Sequence, residues 1–175
     1  MIYYKYLNLD WKIVSEKLKD YYFNNPNFLP NMSAWKPVDT VDILTKIPEI
    51  QLMVDPLSIH VRFVALFVSD YPYSSIHIDA DTYSKCRINL PVLNCENTET
   101  RFFEMTEAPI KILQPNGVSF WKLNPEKCIH VDQFYLTQPV VFRNTEPHQV
   151  VSNNPNKPRV SCTIGFHENI EHLLM

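Results

Sequence analysis

The chain opens on a helical periodicity and changes, about a third of the way along, to a two-residue one. Trp11, Val14, Leu18 and Tyr21 recur at the spacing of one helix face, with Asp10 placed to cap the segment and Asn24-Asn25-Pro26 to stop it after Phe23. A connection rich in Pro and Asn runs from Asn24 to Pro37. A second, shorter helix carrying Val41, Leu44 and Ile47 is predicted between a cap at Asp39 or Thr40 and a stop at Pro48. Both helices read as buttresses on one face of a sheet. From about Ser58, short β-rich runs alternate with turn residues: Ile59–Ser69, Ser75–Asp79, Cys86–Leu93, Thr100–Met105, Ile110–Leu113, Val118–Lys122, Val140–Arg143, His148–Ser152 and Arg159–Phe166. Strands at this spacing without intervening helices predict a mainly β sandwich or jelly roll, because a parallel sheet would need crossover helices. Residues 1–57 are thus expected to form a helical buttress, 58–166 the β core, and 167–175 a tail able to form one short helix.

Composition narrows this picture. With 175 residues, 45% hydrophobic and 13% aromatic, the chain can bury one sizeable core, and a single domain spanning 1–175 is expected. A net charge of −3 and a pI near 6.0 give no electropositive excess, so neither nucleic acid nor an anionic membrane is an indicated partner. The four cysteines show no C-x-x-C spacing, and the start of the chain lacks the cationic and apolar regions of a secretory signal. No apolar run approaches the roughly 20 residues that cross a bilayer. Free thiols and a soluble, cytoplasmic protein are expected. Two glycines against fourteen prolines mean that turns must rely on Pro, Asn and Asp. Frequent Asn and Lys fit an AT-rich, phage-like coding source.

The candidate chemistry begins at Ser75-Ile76-His77-Ile78-Asp79. On a strand, His77 and Asp79 leave the same face, so an imidazole and a carboxylate can meet one metal ion. His148 would complete a set of two histidines and one carboxylate, the arrangement expected of a non-haem Fe(II) oxygenase with positions left open. A rival pair, His130 and Asp132, has the same spacing. Sixty-eight residues lie between Asp79 and His148, room for the several strands of a double-stranded β-helix; only fifteen lie between Asp132 and His148. The second pair is therefore assigned to surface or core. Arg159 and Ser161, also sharing a strand face, offer a guanidinium fork and a hydroxyl suited to a carboxylate.

His77-x-Asp79, Phe142-Arg143-Asn144-Thr145-Glu146-Pro147-His148-Gln149-Val150 and Arg159-Val160-Ser161 together resemble the Fe(II)- and 2-oxoglutarate-dependent oxygenases. Arg87-Ile88-Asn89-Leu90 is similar to the Arg-x-His-Leu strand of the aspartyl/asparaginyl β-hydroxylase branch, with Asn89 where that branch has histidine. A similar resemblance extends to small phage and bacterial prolyl-hydroxylase-like proteins. It covers roughly residues 58–166. The resemblance implies a double-stranded β-helix (jelly roll, cupin-like), Fe(II) held by His77, Asp79 and His148, and O2 as co-reactant. Arg159, assisted by Ser161, would hold the distal carboxylate of 2-oxoglutarate. Arg87 and Asn89 would contact the metal-proximal carboxylate or a substrate group, unless Arg87 forms a structural salt bridge, and Tyr83 would hydrogen-bond the cosubstrate. The reaction centres on iron, with no separate protein acid or base assigned.

The expected reaction hydroxylates an amino-acid, peptide or protein side chain, releasing succinate and CO2. Three alternatives stand beside it: the same chemistry on a free small molecule or nucleobase, a non-catalytic jelly-roll metal-binding or structural protein, and a cupin using Zn(II), Mn(II) or Ni(II). The absence of an H-x-H pair on the first ligand strand counts against the cupin. Asp81 is read as a turn carboxylate, His60 as structural, His167 and His172 as exposed, and Trp35 and Trp121 as core. The substrate itself and the oligomeric state have no signature in the sequence.

Overall fold

The computed structural model describes residues 1–25, 34–69, 72–79, 84–113, 119–153 and 157–175. The elements in chain order are β1 (Tyr4–Tyr6), α1 (Lys12–Phe23), β2 (Ala34–Pro37), α2 (Thr40–Lys46), α3 (Glu49–Val54), β3 (Val61–Ser69), β4 (His77–Asp79), β5 (Cys86–Leu93), β6 (Thr98–Met105), β7 (Ile110–Leu113), β8 (Ser119–Lys122), β9 (Cys128–Tyr135), β10 (Val140–Arg143), β11 (His148–Ser152) and β12 (Arg159–Phe166). They build two six-stranded sheets, one in the order β1-β10-β5-β12-β3-β2, the other β7-β8-β4-β11-β6-β9. Their ladders are antiparallel throughout. From β3 to β6, and again from β9 to β12, the chain changes sheet at every step. That alternation winds a double-stranded β-helix, a jelly roll.

Strands β5 and β12 pair centrally in the first sheet and are covered on both faces. Their two parities carry different chemistry. Cys86, Ile88, Leu90 and Val92 of β5, with Val160, Cys162, Ile164 and Phe166 of β12, join Val64, Leu66 and Val68 of β3 in the main hydrophobic cluster. Val14 and Leu18 of α1, Ile43 of α2, and Ile50, Met53 and Val54 of α3 complete it, so the helices cover this outer face. The opposite parity, facing the second sheet, carries Arg87, Asn89, Arg159, Ser161 and Thr163, with Phe142 and Val140 of β10. A smaller cluster of Phe102, Phe134, Leu136, Val140, Phe142 and Cys95 closes one side of that interior, with Tyr3 and Tyr4 packed on it.

The N-terminal third differs from its expectation as a purely helical buttress. Tyr4–Tyr6 pairs with β10 and Ala34–Pro37 with β3, so residues before Ser58 supply both edge strands of the first sheet. Asp10 does not cap α1: the residue before the helix is Trp11 and no side chain accepts from its first turn. Tyr21 packs partly buried against the main cluster, as expected, and Tyr22 is buried in it. Asp39 does cap α2, accepting from the Asp42 amide at 3.0 Å. Pro48 follows the end of α2, as expected of a stop, and also leads into α3, since proline is tolerated where the first-turn amides have no intrahelical partner. The tail is more than an appendage: a 3₁₀ turn at Glu171–Leu174 buries Ile170 and Leu174 in the main cluster.

Scarcity of glycine shows in the backbone. Ser58 and Asn94 occupy left-handed positions, with φ of 56° and 51°, and Asn94 Nδ2 donates to the Pro158 carbonyl at 2.7 Å to hold its turn. Gly165 has a different role. A Cβ there would lie within 2.6 Å of Cδ1 and Cζ of Phe63, its cross-strand partner, so only glycine lets that ring lie across β12. Gly165→Ala is expected to cost about 1–3 kcal/mol through overpacking. Adding Phe63→Leu should return part of that loss, as urea denaturation of the single and double variants would show.

Candidate metal centre

β4 is a three-residue strand held between β8 and β11, which fixes its parity. His77 stands directly opposite His148 of β11, and Asp79 follows two residues later on the same face. The two imidazole centroids are 4.4 Å apart. One ligand atom from each of His77, Asp79 and His148 lies within 4.8 Å of the other two. Each imidazole is oriented by its own chain: Nδ1 of His77 donates to the Ser75 carbonyl at 2.8 Å, and Nδ1 of His148 to the Glu146 carbonyl at 2.9 Å. A carbonyl can only accept, so both rings are held as the tautomer whose Nε2 lone pair is available to a cation.

Asp79 is divided between two tasks. Its Oδ2 accepts from Arg87 Nη1 at 2.8 Å, while Oδ1 lies 3.6 Å from His77 Nε2. One oxygen is thus taken up by the guanidinium and the other turned to the histidines. Burial alone would raise the Asp79 pKa; the Arg87 guanidinium, with His148 and His77, outweighs it and holds the carboxyl below its ordinary value. Burial, and then the proximity of His77, pushes His148 down to about 4, so its ring is neutral at pH 7. Arg87 itself lies over the Phe63 ring, 5.3 Å from its centroid. Gly165, Phe63, Arg87 and Asp79 therefore form a chain of contacts ending at the candidate metal-binding carboxylate.

Arg159 is 1% exposed. Its Nε donates to Thr98 Oγ1 and its Nη1 to Ser161 Oγ, each at 3.1 Å, and no carboxylate among the described residues comes within ion-pair range. Burial lowers its pKa, with the Cys95 thiol opposing. A desolvated guanidinium whose partners among the described residues are two hydroxyls has the chemistry to accept an anion.

The other expected positions fall out variously. Asn89 accepts from Thr163 Oγ1 at 2.8 Å and is engaged within its own sheet. Arg87 takes the salt-bridge alternative, and its partner is the metal-ligand candidate Asp79. Tyr83 and Asp81 lie outside the described residues. His130 is exposed and Asp132 half-buried on β9, apart from the triad. His60 pairs with Glu168 at the surface. Trp121 is exposed on the outside of the second sheet with Lys111 over its ring, which corrects its expected place in the core. Thr98 begins β6, two residues before the strand expected from Thr100, and nothing in the sequence marks it as the partner of Arg159.

No protein-family model and no curated protein sequence matches the chain. Solved structures with a similar fold include the epimerase SnoN in complex with Fe3+, alpha ketoglutarate and nogalamycin RO (14% identity, TM-score 0.43, covering 78% of this chain and 64% of that one). A second is the non-heme alpha ketoglutarate dependent epimerase SnoN from nogalamycin biosynthesis (13%, TM-score 0.46, 92% and 76%). A third is a Pseudomonas putida prolyl-4-hydroxylase (15%, TM-score 0.39, 78% and 71%). The chain thus spans just under two thirds of the length of the first. At these identities the likeness does not carry the reading of the site, which rests on its own side chains.

His148→Ala or His77→Ala should reduce Mn(II) or Fe(II) affinity by about 100-fold or more, because each removes one of three candidate ligands. His130→Ala should leave it unchanged, as calorimetric titration would show. Arg87→Met frees Oδ2 of Asp79 to chelate. The Mn(II)-loaded variant should then hold one coordinated water fewer than the parent, read as lower water-proton relaxivity.

Proposed function

We propose that the chain is an Fe(II)- and 2-oxoglutarate-dependent oxygenase that hydroxylates an amino-acid, peptide or other small-molecule side chain. One observation carries the reading: an Nε2, Nε2, carboxylate set and a buried arginine without a carboxylate partner among the described residues share the interior between the same two sheets. Two imidazoles and one carboxylate oxygen leave up to three positions of an octahedral ion open, the donor set suited to Fe(II) with a chelating cosubstrate. Four thiolate or three imidazole donors would be expected of structural or cupin-type zinc, and the described residues hold neither around this point.

Each residue has a defined task. His77, Asp79 and His148 hold the ion, with His148 neutral and needing no proton displaced. Arg159, with Thr98 and Ser161 fixing its fork, binds the far carboxylate of 2-oxoglutarate, whose negative charge supplies the counter-ion the guanidinium lacks. Phe142, 5.5 Å from the His148 ring, and Phe102, 6.4 Å away, keep water from the inner side of the site. When bound, iron and 2-oxoglutarate supply oxidative chemistry that consumes O2 and releases succinate and CO2 as a substrate C–H becomes C–OH.

Anaerobic addition of Fe(II) and then 2-oxoglutarate should produce a visible charge-transfer band that fades with O2 as succinate forms. Iron bound without such a band would instead mark a metal-binding protein without turnover. Arg159→Met should weaken 2-oxoglutarate binding by about 2–5 kcal/mol with iron affinity intact. The same substitution should not lower the stability of the ligand-free protein, because it removes an uncompensated buried charge. Equal loss of iron and cosubstrate binding would mean that Arg159 acts through folding.

A further inference from the structure

The metal-ligand row is closed on one side and open on the other. His148 is 4% exposed behind Phe102 and Phe142, whereas the His77 and Asp79 side chains keep 20% and 21% of their surface. The open side leads across β8 to β7. Residues directly opposite in antiparallel strands share a face, so the pairings lay out two rows on the face that bears the metal ligands. One runs His77, Lys122, Ile110; the other runs Asp79, Phe120, Ile112. With strands about 4.8 Å apart, each row reaches roughly 10 Å outward from the ligand strand.

These rows form a shelf of three apolar side chains and one ammonium. Phe120 meets the His77 ring edge-on with centroids 5.8 Å apart, and Phe120 and Ile112 are only half-buried. Ile110 is 70% exposed. Lys111 points away, over Trp121 on the opposite face. Lys122 is exposed and in no ion pair among the described residues, and its neighbours along the row are His77 and Ile110. No carboxylate shares the two rows beyond Asp79, which is already paired with Arg87.

Resting on the oxygenase reading above, we propose that this shelf seats the primary substrate and selects a small carboxylic acid with an apolar body, a free or N-acylated apolar amino acid included. Lys122 takes the carboxylate one strand spacing from His77, while Phe120 and Ile112 carry the apolar body along the row that ends at Asp79. The substrate's C–H bonds then lie against the open side of the triad. Arg159 bonds Thr98, which lies along β6 beyond the row of Val150, Thr100 and Phe134. The two anions thus reach the triad in different directions, one along β11 and β6 onto a buried guanidinium and the other across β8 onto an exposed ammonium. A cationic substrate would meet Lys122 as a like charge.

The test uses the full chain loaded with Mn(II) and 2-oxoglutarate, and reads paramagnetic broadening of the methyl protons of three matched probes. N-acetyl-leucine is the anion, N-acetyl-leucinamide its neutral counterpart and leucinamide the cation. The anion should be broadened and should bind about tenfold more tightly than the neutral amide, with leucinamide weaker still. Lys122→Gln should remove the preference and Lys122→Glu reverse it toward leucinamide; Lys122 is exposed, so both variants should fold. Equal broadening of all three probes, an unchanged preference in Lys122→Gln, or bound Mn(II) with no probe broadened would overturn the shelf and leave the metal site standing. Failure of Mn(II) to bind at all would remove the oxygenase reading with it.

Discussion

The interior between the two sheets holds an imbalance of charge on which the reading of the whole molecule depends. Among the described residues two guanidinium groups, Arg87 and Arg159, face it, and the carboxylate of Asp79 pairs with the first of them. A desolvated cation costs several kcal/mol unless it is paired. Binding a divalent cation at His77, Asp79 and His148 would deepen the imbalance, and a dicarboxylate would relieve it. On the proposed function, the described residues leave one positive charge in this interior for a ligand to balance.

What allows such an interior to exist is the two-residue period of β5 and β12. The parity that would ordinarily pack a sandwich core is given to Arg87, Asn89, Arg159, Ser161 and Thr163, and apolar cohesion is moved to the other face under the helices. The helices are therefore the source of the burial that a polar interior cannot supply. The edge strands contributed by β1 and β2 work the same way: they widen the sheet that the helices cover, and β1 brings Tyr3 and Tyr4 onto Phe102, 5.0 and 6.3 Å between centroids, to close one side of the site.

Parity also explains what could be read from the sequence. His77 and Asp79 two apart, and Arg159 and Ser161 two apart, declare a shared face wherever a strand is assumed, and His148 was placed by the length of chain needed to return beside β4. Other elements hid for physical reasons. β9 was missed because its pairing with β6 shifts register between Phe102 and Phe103, so that Asp132 and His130 face successive residues, Val131 is the extra residue, and the alternation breaks in mid-strand. β1 has three residues and no pattern to detect. α3 was masked by Pro48, a residue that ends one helix and admits the next. Thr98 and Lys122 are defined by their partners across strands, which no local spacing encodes.

The separation of faces has an evolutionary consequence. Substitutions under the helices alter stability while leaving the charges of the interior in place, and substitutions on β7 and β8 alter the shelf without touching the main cluster. Selection for persistence and selection for chemistry thus act on different residues of the same strands. Residues under the helices and residues facing the interior can therefore vary independently, because they leave opposite faces of the same strands.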